Sequence, residues 1–180
     1  MDTLRLTDLN AGDLTFSRVG VHLVATVNAT GHTITFDEQF YSPTANWGLE
    51  KIEFANGTSW DLATINANAW IRGTAGNDTL NGTSWNDTLA GNGGNDTLTG
   101  GAGSDKFVFA AGSGQDVITD FTAGTDVIEF RDGVFADTSA ALAAATQSGS
   151  NTLITVDAST TILLQNVAVA NLHVDDFRVV

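Results

Sequence analysis

A nine-residue period, repeated four times without a slip, constrains this chain more than any other feature. Residues 73–108 read "GTAGNDTLN", "GTSWNDTLA", "GNGGNDTLT" and "GGAGSDKFV". The sixth position of the repeat is always aspartate, at Asp78, Asp87, Asp96 and Asp105. The eighth is always a large apolar residue, at Leu80, Leu89, Leu98 and Phe107. A period of this kind predicts a stack of equivalent turns, each packing on its neighbours.

Each repeat divides into six turn residues and three strand residues, and only its eighth side chain needs burial. If two repeats complete one coil of a flattened spiral, residues two repeats apart stack at about 4.8 Å, the strand spacing. Asp78 then lies over Asp96, and Asp87 over Asp105. Two carboxylates at that distance repel by roughly 3 to 4 kcal/mol at an effective dielectric constant near 20. Because the glycine-rich chain has little else to order it, the segment needs a stabilising partner from outside.

The charge balance indicates that this partner is a cation. The chain carries a formal charge of −14, from 21 acidic and 7 basic residues, which argues against nucleic acid and anionic membranes as partners. It has no cysteine, so a metal must be held by oxygen. Six or more oxygen ligands in a flexible cage suit Ca²⁺, whereas Mg²⁺ needs a tighter octahedron. We therefore predict several bound Ca²⁺ ions and a disordered repeat without them. No apolar run approaches the roughly 20 residues of a membrane span.

The stretches "GNGGND" and "GGAGSD", which end at Asp96 and Asp105, resemble the repeats-in-toxin (RTX, haemolysin-type) nonapeptide G-G-x-G-x-D-x-U-x. The resemblance covers residues 73–108 strongly and 109–130 loosely. Residues 4–62 resemble, more weakly, the β segment that often precedes such repeats. The family pattern implies that one ion is shared by two stacked turns. The first and third carbonyls of one turn, the second and fourth of the other, and both aspartates are its ligands.

Carried onto this chain, the pattern gives a first ion shared by Gly73, Ala75, Asp78, Asn92, Gly94 and Asp96. A second ion would be shared by Gly82, Ser84, Asp87, Gly101, Gly103 and Asp105. Gly91 and Gly93 would face a degenerate turn that ends at Asp116, and Gly100 and Ala102 hold the same positions in the next repeat. Trp85 stands where the pattern has a glycine, so the second site departs from the family.

Beyond the strict repeats, Gly-x-Asp followed by Val-Ile occurs at Asp116 and again at Asp126. We include both residues, with Asp120 between them, among the candidate calcium ligands. An aspartate at an ordinary strand edge is the other interpretation of all three.

The flanking segments are also rich in β patterns. Residues 1–70 alternate apolar and polar residues and predict an antiparallel β unit, in which Asn56-Gly57 indicates a type I′ hairpin turn. Residues 134–180 predict one short helix, capped by Thr138 or Ser139, and then strands. We therefore predict an all-β fold: a right-handed parallel β-roll (β-solenoid) over residues 71–133, flanked by the N-terminal β unit and a C-terminal β cap.

Catalytic motifs do not account for any part of the sequence. It has no cysteine nucleophile, G-x-S-x-G elbow, zinc-binding helix or phosphate-binding glycine loop, and we expect no enzymatic activity within these residues. The tryptophans could form an aromatic platform for sugars, or pack as a cap between β units. They are Trp47, Trp60, Trp70 and Trp85.

The resemblance also implies a bacterial protein that leaves the cell unfolded through a type I secretion apparatus, guided by an uncleaved C-terminal signal. The N-terminal "MDTLRLTDLN" lacks the basic and apolar regions of a signal peptide. The ending "NLHVDDFRVV" resembles a type I signal, although a simple closing strand is the alternative. We predict a secreted calcium-binding module, extracellular or at the cell surface. Two alternatives stay open: a polysaccharide-binding accessory module like those beside alginate epimerases, or the terminal domain of a large adhesin.

Overall fold

The computed structural model describes residues 2–40 and 48–180. The chain divides into two compact units, Met1–Trp70 and Ile71–Val180. Trp47, one of the four tryptophans considered for a sugar platform, lies outside the described residues.

In the residues that the structure describes, the first unit is built from two small sheets and one α-helix. Its elements are β1 (Thr3–Arg5), β2 (Leu14–Val19), β3 (His22–Val27), β4 (Thr33–Phe36), β5 (Lys51–Glu53), β6 (Ser59–Asp61) and α1 (Leu62–Asn68). Strands β2, β3 and β4 form an antiparallel meander, and β5 pairs in parallel with β1 and antiparallel with β6. Trp60 packs into the core of this unit, with its ring 5.0 Å from Phe16 and 5.1 Å from Phe54.

The predicted β5–β6 hairpin is present, but the prediction of a type I′ turn was wrong. Only Gly57 is left-handed, with φ 83°, whereas a type I′ turn needs two such residues. The Asn56 side chain instead accepts hydrogen bonds from the N–H and hydroxyl of Thr58. Helix α1 was not predicted, although Asp61 caps it by accepting from the Thr64 N–H.

The second unit is a parallel β-roll, which confirms the predicted fold class. Its elements are β7 (Ile71–Arg72), β8 (Thr79–Thr83), β9 (Thr88–Ala90), β10 (Thr97–Gly101), β11 (Lys106–Phe109), β12 (Gln115–Ile118), β13 (Val127–Phe130), α2 (Thr138–Ala143), β14 (Ala145–Ser148), β15 (Asn151–Thr155), β16 (Thr161–Leu164) and β17 (Phe177–Val179). Consecutive strands of the roll alternate between two sheets, ordered β14-β15-β16-β12-β10-β8 and β17-β13-β11-β9-β7. Each coil thus gives one strand to each sheet.

The register of the roll follows the repeat. Leu80 pairs with Leu98, and Leu89 with Phe107, which confirms the stacking of residues two repeats apart. Every eighth-position side chain lies in the core, as predicted: Leu80, Leu89, Leu98 and Phe107. The roll then continues past the strict repeats, because Ile118 pairs with Leu98 and Ile128 with Phe107. The residues inserted after Val108 are accommodated without loss of register.

The C-terminal segment closes the roll. Strand β16 extends one sheet beside β12, and β17 extends the other beside β13, both in parallel. Helix α2 is capped by Asp137, which accepts from the Ala140 N–H at 2.8 Å, so the prediction of Thr138 or Ser139 as its cap was wrong. No helix in the described part of the chain is long and apolar enough to cross a membrane.

Candidate metal centre

Six turns precede the six consecutive strands from β8 to β13, and we number them along the chain. They are the first (73–78), second (82–87), third (91–96), fourth (100–105), fifth (111–116) and sixth (121–126) turns. Each ends in an aspartate at its sixth position. The odd-numbered turns stack on one side of the roll and the even-numbered turns on the other, because their strands belong to different sheets.

The aspartates of stacked turns are joined by hydrogen bonds. One carboxylate oxygen, Oδ1, accepts from the backbone N–H of the aspartate one coil earlier. These N–H to Oδ1 bonds run from Asp78 to Asp96, Asp87 to Asp105, Asp96 to Asp116 and Asp105 to Asp126, at 2.8 to 2.9 Å. The structure therefore brings Asp116 and Asp126 into the same two ladders as the strict repeats.

The second oxygen, Oδ2, has a protein partner in three of the turns. The first, second and sixth turns carry threonine at their second position, at Thr74, Thr83 and Thr122. Each of these threonines donates its backbone N–H to the aspartate Oδ2 of its own turn, at 2.6 to 2.8 Å. Thr74 and Thr83 donate their hydroxyl groups as well, both at 2.9 Å. These carboxylates are satisfied within the protein.

The third, fourth and fifth turns differ in backbone conformation. Their second positions are left-handed, with φ 70° at Asn92, 96° at Gly101 and 79° at Gly112. In two of them the second N–H bonds to the next coil instead: Gly101 donates to Asp120 Oδ2, and Gly112 to the Thr160 hydroxyl. These are the turns whose aspartate Oδ2 is buried and accepts no hydrogen bond in the described structure, in Asp96, Asp105 and Asp116.

Burial of these three carboxylates without a hydrogen-bond donor costs folding free energy. Asp96, Asp105 and Asp116 are 1%, 2% and 2% exposed. A buried polar atom without a partner costs on the order of 1 to 3 kcal/mol, and more when it is charged. Burial and the neighbouring Asp96 carboxylate raise the pKa of Asp116 to about 7, and burial with the nearby aspartates raises that of Asp105 to about 6. In contrast, the hydrogen bonds from Thr74 lower the pKa of Asp78.

Backbone carbonyl oxygens of one turn lie close to the first glycine of the turn stacked on it. A Cβ atom added to Gly73 would collide with the Gly91 carbonyl oxygen and lie 2.9 Å from Asp78 Oδ2. One added to Gly82 would meet the Gly100 carbonyl and Asp87 Oδ2 in the same way. Only glycine leaves room for a carbonyl and a carboxylate oxygen side by side here.

The carbonyl directions differ in part from those that the resemblance implies. The Gly91 carbonyl projects onto the first turn, and the Gly94 carbonyl onto Gly114 of the fifth. The carryover from the family has these two carbonyls facing the opposite neighbours. The remaining carbonyl ligands, including those of Ala75, Ser84, Gly93 and Ala102, stay predictions.

Sequence reasoning missed several residues that hold the turns together. Asn77 and Asn95 each accept, through Oδ1, from the backbone of the next turn on their side, and Asn86 does so on the other. The asparagine at the fifth repeat position was the available signal. Asp120, which the sequence did single out as a candidate calcium ligand, accepts from the N–H groups of Gly100 and Gly101, so its carboxylate anchors the start of the fourth turn. Asp176, 1% exposed, accepts from Gly124 in the sixth turn.

The donor set fits a calcium ion. Among residues 2–40 and 48–180, no group of three or more His, Cys, Asp or Glu side chains is placed to hold a metal. An ion in these turns would therefore combine one or two carboxylates with backbone carbonyls, the hard oxygen donors that Ca²⁺ prefers. The unpartnered Oδ2 atoms of Asp96, Asp105 and Asp116 are the atoms that such an ion would stabilise.

Two protein families match the sequence. Residues 22–64 match the haemolysin-type calcium binding protein related domain. Residues 66–84, 72–107 and 82–118 match the RTX calcium-binding nonapeptide repeat. Together the matches span more than half of the chain. Comparison with curated protein sequences finds no significant match.

Solved structures resemble the fold. The extracellular lipase LipA from Serratia marcescens aligns with 99% of this chain at 16% identity and a TM-score of 0.50. The chain spans only 34% of that lipase. The AlgE6R3 subunit of the Azotobacter vinelandii mannuronan C5-epimerase aligns with 58% of this chain and 79% of its own, at 24% identity and a TM-score of 0.30.

The difference between the turns predicts unequal roles for stacked aspartates. Asp96→Asn should weaken calcium binding about tenfold or more, because it removes a charged ligand whose Oδ2 has no protein donor. Asp78→Asn, its stacked control, should have a smaller effect, since Thr74 already satisfies that oxygen. Isothermal titration of both variants measures the difference, and equal losses would contradict the assignment.

The raised pKa values predict opposite effects of acid on stability and on binding. The pKa of Asp116 is about 7 in the folded roll and 3.8 in the unfolded reference. Ionisation of this carboxyl group therefore destabilises the fold as pH rises from 3.8 towards about 7. In calcium-stripped buffer, the roll should therefore gain stability from pH 7 to pH 5, approximate bounds set by these pKa shifts. Calcium affinity should fall over the same interval because protons compete for the carboxylates. Circular dichroism and calcium titrations test both trends, and Asp116→Asn should reduce them. Rising affinity in acid would contradict the account.

Proposed function

Because the chain contains an RTX calcium-binding repeat domain, matched over residues 66–118, we propose that its β-roll folds when Ca²⁺ fills the stacked turns outside the cell. Proteins of this family are typically secreted by bacteria, and their repeats form a calcium-binding structural module. The observation that carries the proposal is the set of three buried carboxylate oxygens without a hydrogen-bond donor.

The residues proposed to hold the ions lie mainly in the third, fourth and fifth turns. Asp96 and Asp116 belong to stacked turns on one side of the roll, and the glycine carbonyls of these turns would be further ligands. Asp105 would hold an ion on the other side of the roll. A bound Ca²⁺ supplies positive charge to carboxylates that otherwise repel one another and lack donors.

The calcium gradient would make folding depend on location. Sites of the extracellular class bind with dissociation constants of roughly 10⁻⁴ to 10⁻³ M, so the low calcium of the cytosol leaves them unfilled. A ligand that binds only the folded state stabilises it in proportion to the logarithm of its concentration. The chain would thus stay extended inside the cell, as export through a narrow channel requires.

We also propose that the C-terminal segment serves in both export and closure. Strand β17 pairs with β13, and Asp176 bonds to the sixth turn, so the segment has a clear role in the folded roll. That role arises only once the chain has folded. A type I secretion apparatus would meet the same residues as an unfolded, acidic and apolar tail.

Calcium-dependent folding is tested by circular dichroism of the full chain. We expect a β signal that appears on calcium addition and is lost in EGTA, with magnesium at equal concentration much less effective because it holds its waters. A calcium-stripped protein at neutral pH whose roll strands give the same signal would contradict the proposal.

Export is tested in a bacterium that carries a matching type I apparatus. Removing Asp175 to Val180 should abolish secretion. Asp176→Ala is the matched control, because it breaks the bond to Gly124 but keeps the tail, and it should still be exported. Truncated protein in the medium at the full-length level would place the signal elsewhere, and equal loss in both variants would implicate folding.

A further inference from the structure

Asparagine followed by glycine occurs three times in the chain, at Asn56-Gly57, Asn81-Gly82 and Asn92-Gly93. Asparagine is chemically most reactive in this pair, because glycine has no Cβ atom to keep its amide nitrogen away from the preceding side chain. One pair lies in the first unit, one in strand β8 and one in the third turn of the roll. Their surroundings decide when each of them can react.

The pair in the third turn is held by the turn stacked one coil earlier. Asn92 Nδ2 donates to the Gly73 carbonyl at 2.6 Å, and the Gly93 N–H donates to the Thr74 carbonyl at 3.3 Å. Asn92 is also left-handed, with φ 70°, and it is exposed to water. The first turn therefore fixes both the side-chain amide and the neighbouring backbone N–H, and it does so only while the two turns are stacked.

Release of these two bonds makes a specific reaction possible. The Gly93 nitrogen loses its proton and attacks Asn92 Cγ. A new N–Cγ bond closes a cyclic imide, while the Cγ–Nδ2 bond breaks and ammonia leaves with a proton. Water then adds to either carbonyl of the imide and opens the ring, which leaves aspartate or isoaspartate at position 92. The reaction consumes water alone and needs no oxidant.

The product does not fit the stacked turn. A carboxylate oxygen replaces the donor to the Gly73 carbonyl, so a hydrogen bond becomes a contact between two acceptors. Isoaspartate also adds a methylene to the main chain, which breaks the regular Cα spacing of about 3.8 Å. The same turn carries Asp96, whose Oδ1 bonds to the first turn and whose N–H bonds to the fifth. The change therefore disturbs a turn that has neighbours on both sides.

The pair in the first unit is held by its own hairpin. Asn56 Oδ1 accepts from the N–H and hydroxyl of Thr58, and the Gly57 N–H donates to the Phe54 carbonyl at 2.9 Å. These bonds do not involve the calcium-binding turns. Calcium should thus change the reactivity of Asn92 and leave that of Asn56 unchanged, which makes Asn56 an internal reference in the same molecule.

We propose that Asn92-Gly93 is a deamidation site that turn stacking closes, so that the chain acquires isoaspartate there while its roll is unfolded. This inference rests on the proposed calcium-dependent folding and adds a time limit to it. A reaction that needs the opened chain slows in proportion to the population of that state. A chain that meets calcium promptly folds and keeps Asn92, whereas one that waits is modified and loses a stacked turn.

The test incubates the full chain at neutral pH in saturating calcium and, separately, in EGTA. Peptide mapping by mass spectrometry measures aspartate and isoaspartate at positions 92 and 56 over time. Modification of Asn92 should be at least about tenfold slower in calcium, because a stabilised fold lowers the open population. The rate at Asn56 should change less than about twofold. When calcium is then added to the EGTA sample, isoaspartate at position 92 should be enriched in molecules that elute unfolded on size exclusion.

Gly93→Ala is the matched variant, because a methyl group hinders the attack and the turn has room for it. A Cβ atom there would lie 3.7 Å from Ala75 Cα and 3.9 Å from the carbonyl oxygens of Ala75 and Gly112, and Gly93 is not left-handed. Gly82 offers no such variant, since its Cβ atom would collide with the Gly100 carbonyl. After equal incubation in EGTA, Gly93→Ala should recover more calcium-induced β signal than the parent sequence. If fresh Gly93→Ala does not fold, the size-exclusion result carries the test alone.

Each outcome decides the proposal. Equal modification of Asn92 with and without calcium overturns it, as does full refolding of molecules that carry isoaspartate at position 92. Equal slowing at Asn56 also overturns it, because the effect would then not come from turn stacking. Circular dichroism separates this proposal from calcium-dependent folding. If the EGTA sample keeps its β signal, calcium-dependent folding fails, and the rates at Asn92 in native and urea-unfolded chain decide whether stacking closes the site.

Discussion

Everything in the β-roll depends on how buried carboxylate oxygens are satisfied. Asp96, Asp105, Asp116 and Asp126 each accept through Oδ1 from the coil before them, which fixes the register of the stack. The presence or absence of a hydrogen-bond donor to Oδ2 then separates the turns into two groups. Where a threonine N–H is available, the protein satisfies the oxygen; where the second residue is left-handed, it does not. The middle of the roll therefore requires a cation.

This division explains how the roll can end. A ladder of calcium sites has no natural terminus, since every turn needs a neighbour to share its ion. Here Thr74 and Thr83 satisfy the first two carboxylates, and Thr122 and Asp176 complete the sixth turn. Protein donors thus replace an ion at three of the four ends of the two stacks, whereas the fifth turn keeps an unpartnered Asp116 Oδ2. Strands β16 and β17 then pair with β12 and β13, which would otherwise be unpaired edge strands.

The sequence predicted what its period encodes and little beyond it. The nine-residue repeat was enough to place Leu98 on Leu80 and Asp96 over Asp78. Phe109, Ala110 and Asp120 are extra residues that interrupt the nine-residue spacing. The register of Asp116 and Asp126 therefore became clear only from strand pairing. Threonine at the second position was visible, but its consequence depends on backbone φ. Glu129 contacts Lys106 and Arg178 from other strands of the sheet, and no local sequence pattern connects these residues.

Anomalous diffraction from a crystal grown with calcium would test the central claim most directly. The account predicts a cation about 2.3 to 2.6 Å from Oδ2 of each of Asp96, Asp105 and Asp116, with backbone carbonyls completing each shell. Cations bound only at the threonine-paired oxygens of Asp78 and Asp126, with the Oδ2 atoms of Asp96 and Asp116 in contact with protein donors, would contradict it.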